Sequence, residues 1–213
     1  GAGNPGKYLP ALKTAGVKVI PVVNSVSLAK RLEKAGVDAV VGEGMEAGGH
    51  IGTETTMVLI PQLADALQVP VIAAGGIADG RGMAAAFTLG AEGVQVGTRF
   101  ICAEECIVHE DYKKMVLKAA DRSTVITGQS TGHPVRVLKN KLARRFLEAE
   151  AEGAPPAELE AMGAGKLAAA VHGDVEEGSV MAGQAAALVN RIEPAAAIIE
   201  GMVSKCRALL GDC

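Results

Sequence analysis

Four apolar runs between residues 17 and 98 confine this chain to a narrow set of folds. They are Val17–Val23, Asp38–Gly42, Val69–Ala74 and Gly93–Val96. Helix signals lie between them. Ser25 or Ser27 can cap a helix over Leu28–Ala35 that Gly36 stops. Pro61 suits the first turn of a helix through Leu67, and Asp79 can cap Gly80–Leu89 ahead of Gly90. A shorter helix, Pro10–Ala15, precedes the first run. Apolar strands joined by crossover helices form a parallel sheet covered on both faces. Hydrophobic residues make up 49% of the chain but aromatics only 2%, with no Trp, so that core has to be aliphatic. The length of 213 residues is enough to bury it.

A doubly wound sheet and a (β/α)8 barrel both satisfy this pattern, and the last two units choose between them. One strand ends in Gly75-Gly76 and the next in Gly97-Thr98. A pair of glycine-bearing ends one βα unit apart matches the phosphate grip after strands seven and eight of a TIM barrel. The expected fold class is therefore α/β. The chain carries the second half of a TIM (β/α)8 barrel, strands 5–8, with Val17–Val23 as strand five. A mostly helical C-terminal region follows. Eight units need about 250 residues, so the first four units are not part of this sequence.

Beyond Phe100 the rhythm changes. The expected elements are a helix Tyr112–Ala120, a short strand Ser123–Thr127, a turn at Gly132-His133-Pro134 and a charged helix Lys139–Glu152. Gly153–Pro156 reads as a linker. Helices are expected over Pro156–Met162, Gly165–Val171, Val180–Asn190 and Pro194–Leu210. The expected domains are a half-barrel over residues 1–108, an inserted small α/β-helical region over 109–179, and C-terminal helices over 180–213 that pack on the barrel.

Composition excludes several functions. A formal charge of −3 argues against nucleic acid or an anionic membrane surface as partner. No apolar run reaches the roughly 20 residues of a membrane helix, and no charged-then-apolar leader opens the sequence. Cys102, Cys106, Cys206 and Cys213 lack paired C-x-x-C spacing, so no metal site is expected and a reduced, cytoplasmic setting is.

Chemistry concentrates at the strand ends. Backbone N–H groups at Gly75-Gly76 and Gly97-Thr98 can hold a phosphate, with the N-terminus of the helix at Gly80 aimed at the same spot. Alone, Gly-Gly is also an ordinary turn. Glu43 ends its strand, where an inward carboxylate needs a partner: a ligand N–H or hydroxyl, or a salt bridge. The segment Glu43–Gly52 carries three more features: Glu46, which supports the loop or faces solvent, the pair Gly48-Gly49, and His50. His50 is the candidate for acid–base or hydrogen-bonding work, because an imidazole titrates near neutrality. His133 is a second candidate for lining the site. His109 is expected at the surface and His172 at a helix end before Gly173. Cys102 and Cys106 suit apolar packing. Lys139, Lys141, Arg144 and Arg145 read as a solvated helix face or as a basic patch for an acidic partner.

These residues resemble the flavin-containing enoyl-acyl-carrier-protein reductases, within the larger nitronate monooxygenase (2-nitropropane dioxygenase-like) family of FMN barrels. The resemblance runs from Gly1 to about Val189. It rests on Gly1-Ala2-Gly3-Asn4-Pro5, the Glu43–His50 loop, Ala73–Gly80, Gln95–Phe100, Gly132–Arg136 and Gly178–Gln184. It implies FMN contacts at Glu43, Gly48 and Gly49, a phosphate hold at Gly76, Gln95, Val96, Gly97 and Thr98, and His50 as the catalytic-site histidine. It also implies NADH or NADPH as co-substrate, an activating monovalent cation, an acyl carrier protein bearing the enoyl group, and a homodimer. Two other readings stand beside reduction of the enoyl 2,3-double bond in fatty acid synthesis. One is nitronate oxidation by O2; the other is a catalytically inactive barrel fragment. The first four βα units of the family are the point of departure.

Overall fold

The computed structural model describes residues 3–211. Gly1 and Ala2 of the opening motif and Cys213 lie outside the described residues. In chain order the elements are α1 (Leu9–Thr14), β1 (Val22–Val23), α2 (Val26–Lys34), β2 (Val40–Glu43), β3 (Gly49–His50), α3 (Thr56–Ala66) and β4 (Val71–Ala74). Next come α4 (Gly80–Thr88), β5 (Gly93–Gln95), α5 (Thr98–Ile101), α6 (Glu110–Leu117), β6 (Thr124–Thr127) and β7 (Val135–Leu138). Helices α7 (Lys141–Ala151), α8 (Pro156–Gly163) and α9 (Lys166–Val171), a 3-10 helix (Gln184–Leu188) and α10 (Ala195–Leu210) follow. The chain divides into two compact units: Gly1–Glu46 with Ile51–Val96 and Gly201–Cys213, and Ala47–His50 with Gly97–Glu200.

The first unit is built on a parallel sheet in the order β1-β2-β4-β5. Every strand lies beside its neighbour in this chain-ordered series, without the order reversal that marks a doubly wound sheet. This is four consecutive βα units of a (β/α)8 barrel. Burial explains the apolar runs. Val40, Val41, Val71, Ala73 and Ala74 are buried, as are Leu59, Ile60 and Leu63 of α3. Each buried Val, Leu or Ile side chain contributes about 1.5–3 kcal/mol when removed from water. Helix α2 starts as its sequence suggests, with Ser25 Oγ accepting from the Leu28 N–H.

Two boundaries differ from expectation. The first strand shrinks from Val17–Val23 to Val22–Val23. The Val19 N–H is taken by the Asp38 carboxylate at 2.9 Å, and Pro21 has no N–H to give a ladder. Lys13 and Lys18 pair with the same carboxylate, and the Val19 N–H above all, then these two lysines, hold Asp38 well below the ordinary carboxylate range. Helix α3 begins five residues before Pro61, which sits inside it rather than in its first turn. Its start is set by Glu46, a residue outside the helix.

The second unit centres on an antiparallel sheet β3-β7-β6 and a core of Cys102, Tyr112, Val116, Leu138, Ala170, Val180 and Ala182. Strand β3 falls where only a loop was expected, and β7 follows the expected turn at Gly132-His133-Pro134 where no element was expected. The Val180–Asn190 helix is absent as well. Val180 and Met181 run extended beside β7, and only Gln184–Leu188 turns, as a 3-10 helix. Helix α7 starts at Lys141, two residues past the expected Lys139, with Asn140 as its N-cap. The Asn140 Oδ1 accepts from the Ala143 N–H, and its Nδ2 donates to the Val175 and Gly178 carbonyls.

Candidate functional site

In the first unit, sheet register brings several candidate residues to one edge. Glu43 lies opposite Ala74, and Ala74 opposite Gln95, so the C-terminal ends of β2, β4 and β5 are level. Gly75-Gly76 and Val96 continue directly from that edge. Gly75 and Gly76 have φ of +94° and +71°, which favour glycine, and a Cβ on Gly75 would lie 2.8 Å from the Gly44 carbonyl oxygen. The Gly76 N–H has no acceptor among the described residues and remains available to a ligand.

Two carboxylates three residues apart have different fates here. Glu43 is half-buried at the edge and has no hydrogen-bond or ion-pair partner among the described residues. Burial pushes its pKa up, favouring the protonated form. Glu46 turns to α3, where its carboxylate accepts from the Thr56 N–H at 3.0 Å and from Thr56 Oγ1 at 3.0 Å. Thr56 Oγ1 also lies 3.2 Å from the Ala74 carbonyl and 3.1 Å from that of Gly75. A side chain in the glycine-rich loop thus caps the helix and meets the residue that touches the β4 end. Sequence spacing carries no sign of this, since the partners are ten residues apart and share no helix or strand.

The N-terminus of α4 is not open. The Asp79 carboxylate accepts from the Arg81 N–H at 2.8 Å and pairs with the Arg81 guanidinium. Gly80 serves packing instead: a Cβ there would stand 2.5 Å from the Met202 carbonyl oxygen of α10. The N-terminus of the helix at Gly80, expected to face a phosphate, is thus occupied by the Asp79 side chain.

In the second unit, Gly49 and His50 form β3 and pair with Arg136 and Val135. Two separate sequence motifs, the Gly-Gly-His loop and Gly132–Arg136, thereby become neighbours. Both His50 and His133 line one cavity of about 280 Å³. His50 is exposed, and its ring has no hydrogen-bond partner among the described residues. The segment Gly178–Gln184 organises the other candidates. A Cβ on Gly48 would lie 2.6 Å from the Ala182 carbonyl carbon, and Thr98 Oγ1 accepts from the Gly183 N–H at 2.9 Å. The Met181 carbonyl accepts from Tyr112 Oη at 2.7 Å, and burial raises the pKa of that phenol. Gly48, Thr98 and Tyr112 thus meet one short extended segment. Its role was hidden by an alanine-rich run that looks helical. Gly97 opens α5, and a Cβ there would meet nothing within 4 Å.

The remaining candidates are structural. His109 is half-exposed and its Nδ1 accepts from the Asp111 N–H, capping α6. His172 ends α9 ahead of Gly173. Cys102 is fully buried, and burial raises its thiol pKa. Two cations of the basic run are paired, Lys141 with Glu176 and Arg145 with Glu177. Among the described residues no group of His, Cys, Asp or Glu could hold a metal ion, and no helix is long and apolar enough to cross a membrane.

A chain-ordered parallel sheet with a lone carboxylate and glycine turns at its C-terminal edge defines the class of α/β-barrel enzymes that bind ligands at strand ends. Comparison makes the class specific. A family model described as nitronate monooxygenase matches residues 1–205. The structure of FabK from Thermotoga maritima is 53% identical with a TM-score of 0.95, covering 98% of this chain and 67% of that one. Nitroalkane oxidase from Streptomyces ansochromogenes is 29% identical with a TM-score of 0.81, covering 97% and 63%. "Probable nitronate monooxygenase" from Staphylococcus saprophyticus is 36% identical over 211 residues, which are 93% of this chain and 59% of that relative. The chain belongs to the nitronate monooxygenase family. It spans 59% of the length of that curated relative and 60% of its Staphylococcus aureus counterpart.

Proposed function

We propose that this chain is part of an FMN-dependent enoyl-acyl-carrier-protein reductase. The observation that carries the reading is the 53% identity with FabK over nearly the whole chain, beside the resemblance of the glycine-rich loops to the flavin-containing enoyl reductases. The residues present fit the flavin. Glu43 is a half-buried carboxylate in need of a donor, and a ring N–H or ribityl hydroxyl would satisfy it. The Gly76 N–H, without an acceptor among the described residues at the end of β4, suits a phosphate oxygen. Gly48, Gly49, Gln95, Val96, Gly97 and Thr98 complete the set that the resemblance assigns to FMN, and Gly75 is added by its place in the same turn as Gly76. When bound, FMN supplies hydride exchange between NADH or NADPH and the β-carbon of the enoyl group.

The chain's own part is positioning and proton handling. Backbone pairing of β3 with β7 fixes where His50 stands, and its unengaged ring can donate a proton to the substrate α-carbon or a hydrogen bond to the thioester carbonyl oxygen. Either act stabilises the enolate-like transition state. Tests belong in the full-length protein. His50→Ala is expected to lower enoyl turnover by about 10²–10⁴ while FMN affinity stays within a few-fold. Unchanged turnover would remove His50 from the mechanism. A monovalent cation, a homodimer, a cytoplasmic setting and an acyl carrier protein docking on Arg144 and Arg145 belong to the same proposal. Charge reversal at those two arginines should raise KM for the carrier-bound substrate alone.

The second reading, nitronate oxidation by O2, is favoured by the names of the Staphylococcus relatives. It shares the fold and the same residues, and differs in which substrate reduces the flavin.

A further inference from the structure

We propose that the cavity of the second unit binds the aliphatic tail of the acyl substrate, so that the region after the barrel strands sets chain-length preference. The proposal deepens the reductase reading and rests on it. The cavity measures about 280 Å³ and is lined from β7 and from helices α7, α8 and α9. A cavity of roughly 150 Å³ walled by Leu, Ile and Phe already takes up benzene, so this one accommodates several methylenes more. Its floor is apolar and fully buried: Val137, Leu142, Ala143 and Leu159 are 1–5% exposed. Phe146 and Met181 are half-buried above it, and the exposed rim holds His50 and His133.

Three polar side chains of the wall are engaged by the protein itself, while Ser179 is half-buried and Glu160 lies exposed. Thr127 Oγ1 donates to the Val135 carbonyl, and Thr131 Oγ1 to that of Gly128. Asn140 uses both ends of its amide on backbone. No Lys or Arg lines the cavity, so a phosphate-bearing group such as a dinucleotide has no counter-charge there. Apart from Ser179 and Glu160, what remains is a buried apolar floor and an exposed end that carries His50. That arrangement suits an unbranched hydrocarbon whose reactive end stays at the rim. A nitronate of a few carbons would leave the floor empty.

The test uses the full-length flavoprotein and thioesters of N-acetylcysteamine. Calorimetric titration of the wild-type protein should give a Kd at least tenfold lower for the decanoyl than for the butyryl thioester, because each buried methylene is worth about fourfold. Gly163→Leu fills the cavity. Gly163 ends α8, its φ lies outside the positive range, and an added Cβ meets only Phe146 Cε2 at 3.9 Å. This variant should lower the ratio of kcat/KM for 2-decenoyl over 2-butenoyl thioester at least tenfold, through KM. An unchanged ratio, or equal wild-type Kd values for the two chains, would overturn the proposal. Equal Kd values would mean that protein or solvent occupies the cavity. If neither thioester is reduced, the reductase reading fails, and the binding titration still decides the cavity.

Discussion

At the scale of single residues, Glu43 and Glu46 illustrate how one loop uses a carboxylate in two ways. Glu46 spends both oxygens on Thr56 and fixes the start of α3. Glu43 finds no donor within the described residues, and burial raises its pKa above the ordinary 4.5. The sign of the consequence follows. Just above that ordinary value the unfolded chain has released this proton while the folded chain keeps it. Stability therefore falls as pH rises through the window between the two values. In flavin-free protein, Glu43→Gln should flatten this part of the stability–pH curve and raise the denaturation midpoint near neutral pH. Urea titrations across the window would show it, and a steeper slope in the variant would contradict the assignment. Glu43 was legible in the sequence because it ends an apolar strand. The partnership of Glu46 was not, because it depends on how the loop folds back.

At the scale of elements, the helices and strands with local signals were legible: Ser25 for α2, Asp79 for α4, and the apolar runs for β2, β4 and β5. Elements held by remote partners were not. Strand β3 exists only because Val135 and Arg136 come alongside it, and the Val180–Met181 segment stays extended because β7 accepts it. Asn140 is the sharpest example. As a pure N-cap it should be replaceable by Asp, an equally good cap. Here its Nδ2 also serves two carbonyls, at 2.8 and 2.7 Å, which a carboxylate would face as a third acceptor. Asn140→Asp is therefore expected to destabilise the protein by about 2–4 kcal/mol, the loss of two hydrogen bonds with the carbonyls left opposed. Chemical denaturation gives the value directly, and a neutral result would reduce Asn140 to a simple cap.

At the scale of the whole molecule, the chain crosses between its two units within the glycine-rich loop and again between Val96 and Gly97. Residues adjacent in sequence are therefore held by different cores. Gly48, Gly49 and His50 belong with β7, whereas Glu43 and Glu46 belong with the parallel sheet. Sequence reasoning found most of these residues because glycine, carboxylate and histidine at a strand end are locally conspicuous. It missed the cavity beside His50, whose walls come from helices that carry no chemical signature of their own. Enoyl reduction is the proposed activity. Anaerobic stopped-flow on the full-length flavoprotein tests it most directly. The account predicts rapid flavin bleaching by NADH or NADPH and recovery of its colour on adding an enoyl thioester. Bleaching by a nitronate with no response to either nicotinamide would contradict it.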